Sequence, residues 1–153
     1  YIVGSGAASD TLAVHDRKDP LYFDTAQLSA GRAMKQAGLT LEQIGFFEYH
    51  DAFSIFAALS LEAAGFAPKG QGWKLAAGGD IGLKGKIPCA TMGGMKARGF
   101  PGGAAGVYQA VEGTLQLRGQ AGANQVEGAR YGLIQSLGGP GSTAVAHVLK
   151  RGA

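Results

Sequence analysis

Glycine constrains this chain more than any other residue type: 27 of its 153 residues are glycine, against roughly 11 at an average usage of about 7%. They gather at Gly78-Gly79, Gly93-Gly94, Gly99 to Gly106 and Gly138 to Gly141. Such clusters mark places where backbone turns tightly or another group approaches closely. With no repeat or low-complexity tract around them, they read as turns built into one globular fold.

The length fits a single domain over residues 1–153, long enough to bury a core without covalent staples. The lone Cys89 can form no internal disulfide and no paired metal-ligand spacing, which points to a reducing, cytoplasmic setting. No apolar run approaches the roughly 20 residues that cross a bilayer, so no membrane association is expected. The chain opens inside a strand-like run, Tyr1-Ile2-Val3-Gly4, which suggests a piece of something longer. Its net charge of +3 is scattered and poor in interleaved aromatics, unlike a nucleic-acid surface. Lys84, Lys86, Lys96 and Arg98, near the glycine-rich loop, suit either a solvated face or a phosphate-bearing cofactor.

Strand and helix patterns alternate along the chain. A short strand at Tyr1 to Gly4 precedes a helix over Thr25 to Ala37, with Asp24 as cap, Gln27 as capping-box partner and Gly38 as stop. Thr40 to Gln43 repeats the cap logic for one turn. Ile44 to Tyr49 reads as a buried strand that delivers His50 and Asp51 to its carboxyl end. A second helix spans Ala52 to Ala64, closed by Gly65, and an exposed connection runs from Gly70 to Gly85. A short strand at Ile87 to Ala90 leads to a third helix, Ala104 to Leu117, with Val107, Val111 and Leu115 along one stripe. Two strands, Tyr131 to Ser136 and Thr143 to Leu149, meet at Gly138-Gly139-Pro140-Gly141. This order predicts an α/β fold with a mixed, mostly parallel, helix-covered sheet and an antiparallel edge pair.

Several chemical constellations are excluded by spacing. Gly4-x-Gly6 lacks the third glycine of a dinucleotide fingerprint, and Gly93 to Gly106 lacks the Gly-Lys-Ser/Thr ending of a P-loop. His15 reads as a surface residue, His147 as a strand residue and Cys89 as buried structure without a histidine partner. His50 stands at a strand-to-helix junction, where open α/β sheets gather active-site groups; spacing alone favours a capping or surface role for it.

Three separated stretches share one pattern: His50-Asp51-Ala52-Phe53, the run from Gly93 through Gly99-Phe100-Pro101 to Gly106, and Ser136-Leu137-Gly138-Gly139-Pro140-Gly141. Their order and spacing resemble the C-terminal signatures of thiolases, and the resemblance extends through Gly4 to Thr11 and Gln116 to Val126. It is closest to the archaeal and bacterial acetyl-CoA acetyltransferase-like and lipid-transfer branch. It implies one half of a two-part fold, with a five-stranded sheet covered by helices, and a nucleophilic cysteine in the other half. It implies a CoA thioester as substrate and no covalently bound cofactor or metal. Expected partners are an N-terminal thiolase half or a second copy, and a small zinc-ribbon, OB-fold companion.

The resemblance also assigns roles. His50 stands where a histidine or asparagine helps form an oxyanion site, and the amide of Gly138 matches a backbone donor of a second one. Phe53 matches a position near the pantetheine arm. Two positions depart from the pattern. Phe100 replaces the Gly-His-Pro histidine that takes the proton from the nucleophile, and a phenyl ring accepts no proton. Ser136 replaces a second cysteine, with a far less acidic hydroxyl. The resemblance thus implies acyl transfer or carbon–carbon bond chemistry on CoA thioesters, including retro-aldol cleavage, or else a non-catalytic acyl-CoA-binding or subunit-interaction scaffold.

Overall fold

The computed structural model describes residues 1–152. Four strands, β1 (Ile2–Ser9), β2 (Phe46–Glu48), β3 (Tyr131–Gly138) and β4 (Thr143–Lys150), form one sheet in the order β1-β4-β3-β2. Five helices accompany it: α1 (Asp24–Ala37), α2 (Ser54–Ala63), α3 (Gly72–Ala77), α4 (Gly94–Arg98) and α5 (Ala105–Arg118).

The sheet corrects two expectations. It has four strands rather than five, and it is mostly antiparallel: β4 runs against both β1 and β3, and only β2 is parallel to β3. The glycine-turn hairpin forms with Gly138 opposite Thr143, but β4 lies inside the sheet, covered by the first strand, instead of at an edge. The expected strand at Ile87 to Ala90 shrinks to a single parallel bridge between Phe47 and Cys89. Phe47 donates to Pro88 O at 2.8 Å and its carbonyl accepts from Ala90 N–H at 3.1 Å. Pro88 has no N–H to extend the ladder, and Ala90, at φ 44°, turns the chain out of the extended region.

Alternation along the strands loads opposite faces of the sheet. On one face, Leu133, Ala146 and Val148 pack with Ala30, Ala33 and Met34 of α1. On the other, Phe46, Ile134 and Leu149 pack with Leu117 of α5. α1 lies unusually close to β1 because a Cβ on Gly4 or Gly6 would collide with the helix backbone at Ala33 or Ser29, so glycine there is what permits the contact.

The helices start and stop largely by local chemistry. Gly38 ends α1 in the left-handed conformation at φ 65°, as its position predicts. Asp24 is the first helical residue rather than the cap, and no side chain caps α1. Gln43 Oε1 accepts the Thr40 N–H at 2.9 Å, closing the short turn Leu41–Gln43. The Gly70 to Gly85 connection contains α3 and is tied back by Ile87 N–H to Asp80 O at 2.9 Å. The expected stripe on α5 is reversed: Val107 and Val111 are 64% and 52% exposed, while Gln109, Glu112 and Gln116 are buried.

Candidate functional site

Because β2 and β3 are parallel, with Phe46 opposite Gly132 and Glu48 opposite Ile134, both strands leave the sheet at the same end. His50 and Asp51 follow β2 there, and Gly138 closes β3. His50 is 3% exposed, and its Nδ1 is buried without a hydrogen-bond partner among the described residues. Phe100 meets its ring edge-on, with centroids 5.4 Å apart, and Phe56 lies 6.3 Å away. Burial pushes the imidazole pKa below its ordinary value, and the nearby Asp51 charge opposes this only in part. A neutral imidazole presents one donor and one acceptor, which suits polarising a carbonyl better than storing a positive charge.

Aromatic rings surround this histidine. Phe53 sits 5.2 Å from Phe56, which in turn meets Phe23 edge-on at 5.1 Å. Phe53 and Phe100 are 63% and 59% exposed, so both offer apolar surface beside a buried polar ring. Phe23 underlies the turn at the end of β3, where a Cβ on Gly141 would touch its ring. The aromatic row therefore connects the two segments that sequence motifs singled out.

The turn itself is clamped from outside the hairpin. Gly138 O accepts from Gly141 and Ser142 N–H at 3.2 and 3.1 Å. Thr25 Oγ1 donates to Gly141 O at 2.7 Å, and buried Arg17 donates through Nη1 to Pro140 O at 2.8 Å. Ser136 faces α5, where its Cβ would lie 3.2 Å from a Cβ on Gly106. It thus opens onto a groove shared with Val107, Gln109, Val145 and His147.

Asp51 organises the loop opposite. Its Oδ1 accepts the Met95 N–H at 2.8 Å, and Lys96 Nζ lies 3.4 Å from Oδ2. Gly94 makes this possible: it has φ +65°, and any Cβ would overlap the Asp51 carboxylate. Arg98 Nη1 is 2.8 Å from Glu112 Oε1. Lys96 and Arg98, which the sequence left open to a phosphate, are thus committed to carboxylates. Cys89 is buried, and its thiol pKa is pushed well up by desolvation and by Glu48, in keeping with a structural residue. No group of three or more metal-ligating side chains occurs among the described residues.

Glu48, Thr91 and Glu112 escaped sequence reasoning, since each lies in an element that reads as ordinary strand, loop or helix. The available signal was a glutamate within the apolar run Ile44 to Tyr49 and another on the face of α5 opposite its valines.

Residues 6–151 match the family model described as thiolase C-terminal domain-like. The chain belongs to that family. It is 44% identical over 151 residues to an acetyl-CoA acetyltransferase of Methanothermobacter thermautotrophicus, covering 99% of this chain and 39% of the relative. It is 40% identical over 123 residues to human sterol carrier protein 2, covering 80% and 22%. The solved Ltp2-ChsH2(DUF35) aldolase matches the fold with a TM-score of 0.79 at 21% identity, over 97% of this chain and 39% of that one. The thiolase C-terminal domain-like chain thus spans well under half the length of these relatives. No described helix is long and apolar enough to cross a membrane.

Proposed function

We propose that this domain is the C-terminal half of a thiolase-like enzyme acting on CoA thioesters, by acyl transfer or by making or breaking a carbon–carbon bond. One observation carries the reading: His50 is buried, neutral and unpartnered at Nδ1, at the same sheet end as the Gly138 turn. In this role His50 N–H and the Gly138 amide donate to a thioester oxygen as negative charge develops on it, and the dry aromatic surroundings strengthen both interactions. Ser136 offers its hydroxyl from the adjoining α5 groove, Phe53 packs against the pantetheine arm, and the nucleophilic thiol comes from outside this chain. Phe100 contributes an apolar wall where a proton-accepting histidine would stand. Replacing His50→Ala should lower turnover of short or sterol-like acyl-CoA thioesters about 10² to 10³-fold; unchanged turnover removes His50 from the chemistry.

Phe100 itself supports a second reading, a non-catalytic acyl-CoA-binding or subunit-interaction scaffold. Calorimetric titration with acetyl-CoA beside a turnover assay separates the two, since binding without turnover favours the scaffold. A partner is part of either reading. The exposed valines of α5 and the relatives' greater length support an N-terminal half or a second copy seated on that face. The name of the structural neighbour, which couples Ltp2 with ChsH2(DUF35), supports a companion subunit such as the expected zinc-ribbon, OB-fold protein.

A further inference from the structure

Arg17 is a buried cation that neither the sequence motifs nor the thioester chemistry uses. It is 8% exposed, and none of the ion pairs among the described residues includes it. Its guanidinium is always charged, and it is directed at main-chain oxygens: Nε donates to Thr11 O at 3.1 Å and Nη1 to Pro140 O at 2.8 Å. Nη2 is buried with no partner among the described residues. A buried charge without a counter-charge is costly, so its place against the turn Gly138 to Gly141 calls for a reason other than stability.

Two relays of hydrogen-bonded peptides converge on one oxygen of that turn. Arg17 holds the carbonyl of the Pro140–Gly141 peptide, whose N–H, that of Gly141, donates to Gly138 O at 3.2 Å. Thr25, 1% exposed, donates through Oγ1 to Gly141 O at 2.7 Å, and the N–H of that next peptide, Ser142 N–H, donates to the same Gly138 O at 3.1 Å. The Ser142 hydroxyl adds a third contact to it at 3.3 Å. Hydrogen bonds in series polarise one another, by about 10–30% per bond. Gly138 O shares its peptide with the Gly139 N–H, which is therefore where both relays end. That N–H donates to nothing among the described residues, and Gly139 is exposed.

We propose that Arg17 charges this turn, so that the Gly139 N–H, next in the chain to the Gly138 amide, is a donor preset for an oxygen that gains negative charge. Arg17 is then a positioning residue: it acts through Pro140 and Gly138 and touches no ligand. Its lack of a carboxylate partner follows from the role. A paired carboxylate would cancel the field at the turn, and an exposed cation would be screened by water and salt, whereas a fixed charge in a dry setting acts without reorganising. That the oxygen belongs to a thioester rests on the function proposed above; the polarised amide does not.

Solvent-exchange NMR of the protein reads the polarisation, because hydroxide-catalysed exchange of an amide passes through a peptide anion whose charge gathers on the carbonyl oxygen, here Gly138 O. Corrected for neighbouring sequence, the Gly139 amide should exchange severalfold faster than that of Gly128, another exposed glycine with left-handed backbone at φ +70°. Arg17→Gln should bring it down to the Gly128 rate, and Thr25→Val, which breaks one relay and leaves the charge, should slow it less. Arg17→Lys restores the charge and should recover most of the rate, which a merely structural arginine would not require. A Gly139 amide at the Gly128 rate in the parent, or one indifferent to Arg17→Gln, would overturn the polarised donor. If Arg17→Gln fails to fold, the parent comparison and Thr25→Val decide. In the complete protein Arg17→Gln should lower kcat for acyl-CoA thioesters roughly tenfold with KM little changed, short of the 10² to 10³-fold that removing a donor costs. Slowed exchange with kcat unchanged would overturn the assignment of Gly139 to the thioester oxygen. A parent without turnover would count against the thioester reading alone, so the two ideas fail separately.

Discussion

At the scale of single residues, the surroundings of His50 decide its charge. Buried beside Phe56 and Phe100, it folds in its neutral form, with a pKa below the ordinary 6.5. A base whose folded pKa is depressed contributes stability that is complete above its unfolded pKa and is lost as pH falls through the folded one. NMR titration of the His50 ring should therefore give a midpoint below 6.5, and His50→Phe should weaken acid sensitivity below that pH. Phe100→His, which puts a proton acceptor where the phenyl ring stands, should raise turnover toward the 10² to 10⁴-fold that a general base contributes. An unchanged rate would mean that the reaction needs no base there. The family resemblance was legible because its residues sit in short contiguous motifs, His50 to Phe53, Gly93 to Gly106 and Ser136 to Gly141. The buried Glu48 and Glu112 were not, since their partners, Thr91 and Arg98, come from other segments of the chain.

At the scale of elements, the strength of local signals separates what sequence resolves from what it does not. Gly38 and Gly119 stop α1 and α5 in the left-handed conformation, and a single residue suffices to announce that. Sheet order and strand direction depend on non-local pairing, so β4 could be recognised as a strand without its central place being visible. The periodicity of α5 was real, but its valines point outward because Gln109, Glu112 and Gln116 take the inner face; the ion pair of Glu112 with Arg98 and the hydrogen bonds of Gln116 to the segment Asn124 to Val126 overrode the usual apolar rule there. Two substitutions test how the elements hold the site. Gly94→Ala should destabilise the fold by about 1 to 3 kcal/mol from backbone strain alone, and more through displacement of Asp51. Thr25→Val should cost about 1 kcal/mol by removing the hydroxyl bond to Gly141 O. Chemical denaturation measures both, and a neutral Gly94→Ala would show that Asp51 does not depend on that close approach.

At the scale of the molecule, one face of the sheet is unfinished. Val107 and Val111 stand in solvent beside a groove that holds Gln109, 1% exposed, with neither amide atom paired among the described residues. A buried amide without partners costs free energy, and a partner surface carrying a donor and an acceptor relieves it. Val107→Glu should therefore abolish association in light scattering while leaving the fold intact, and a well-behaved monomer at high concentration in the parent would count against a partner on this face. In the proposed function a thioester carbonyl is polarised jointly by His50 and the Gly138 turn. Infrared difference spectroscopy of ¹³C-labelled acetyl-CoA bound to the protein reads that polarisation directly. The carbonyl stretch should move to lower frequency on binding and lose much of that shift in His50→Ala; a band at its solution position, or one indifferent to the substitution, would contradict the account.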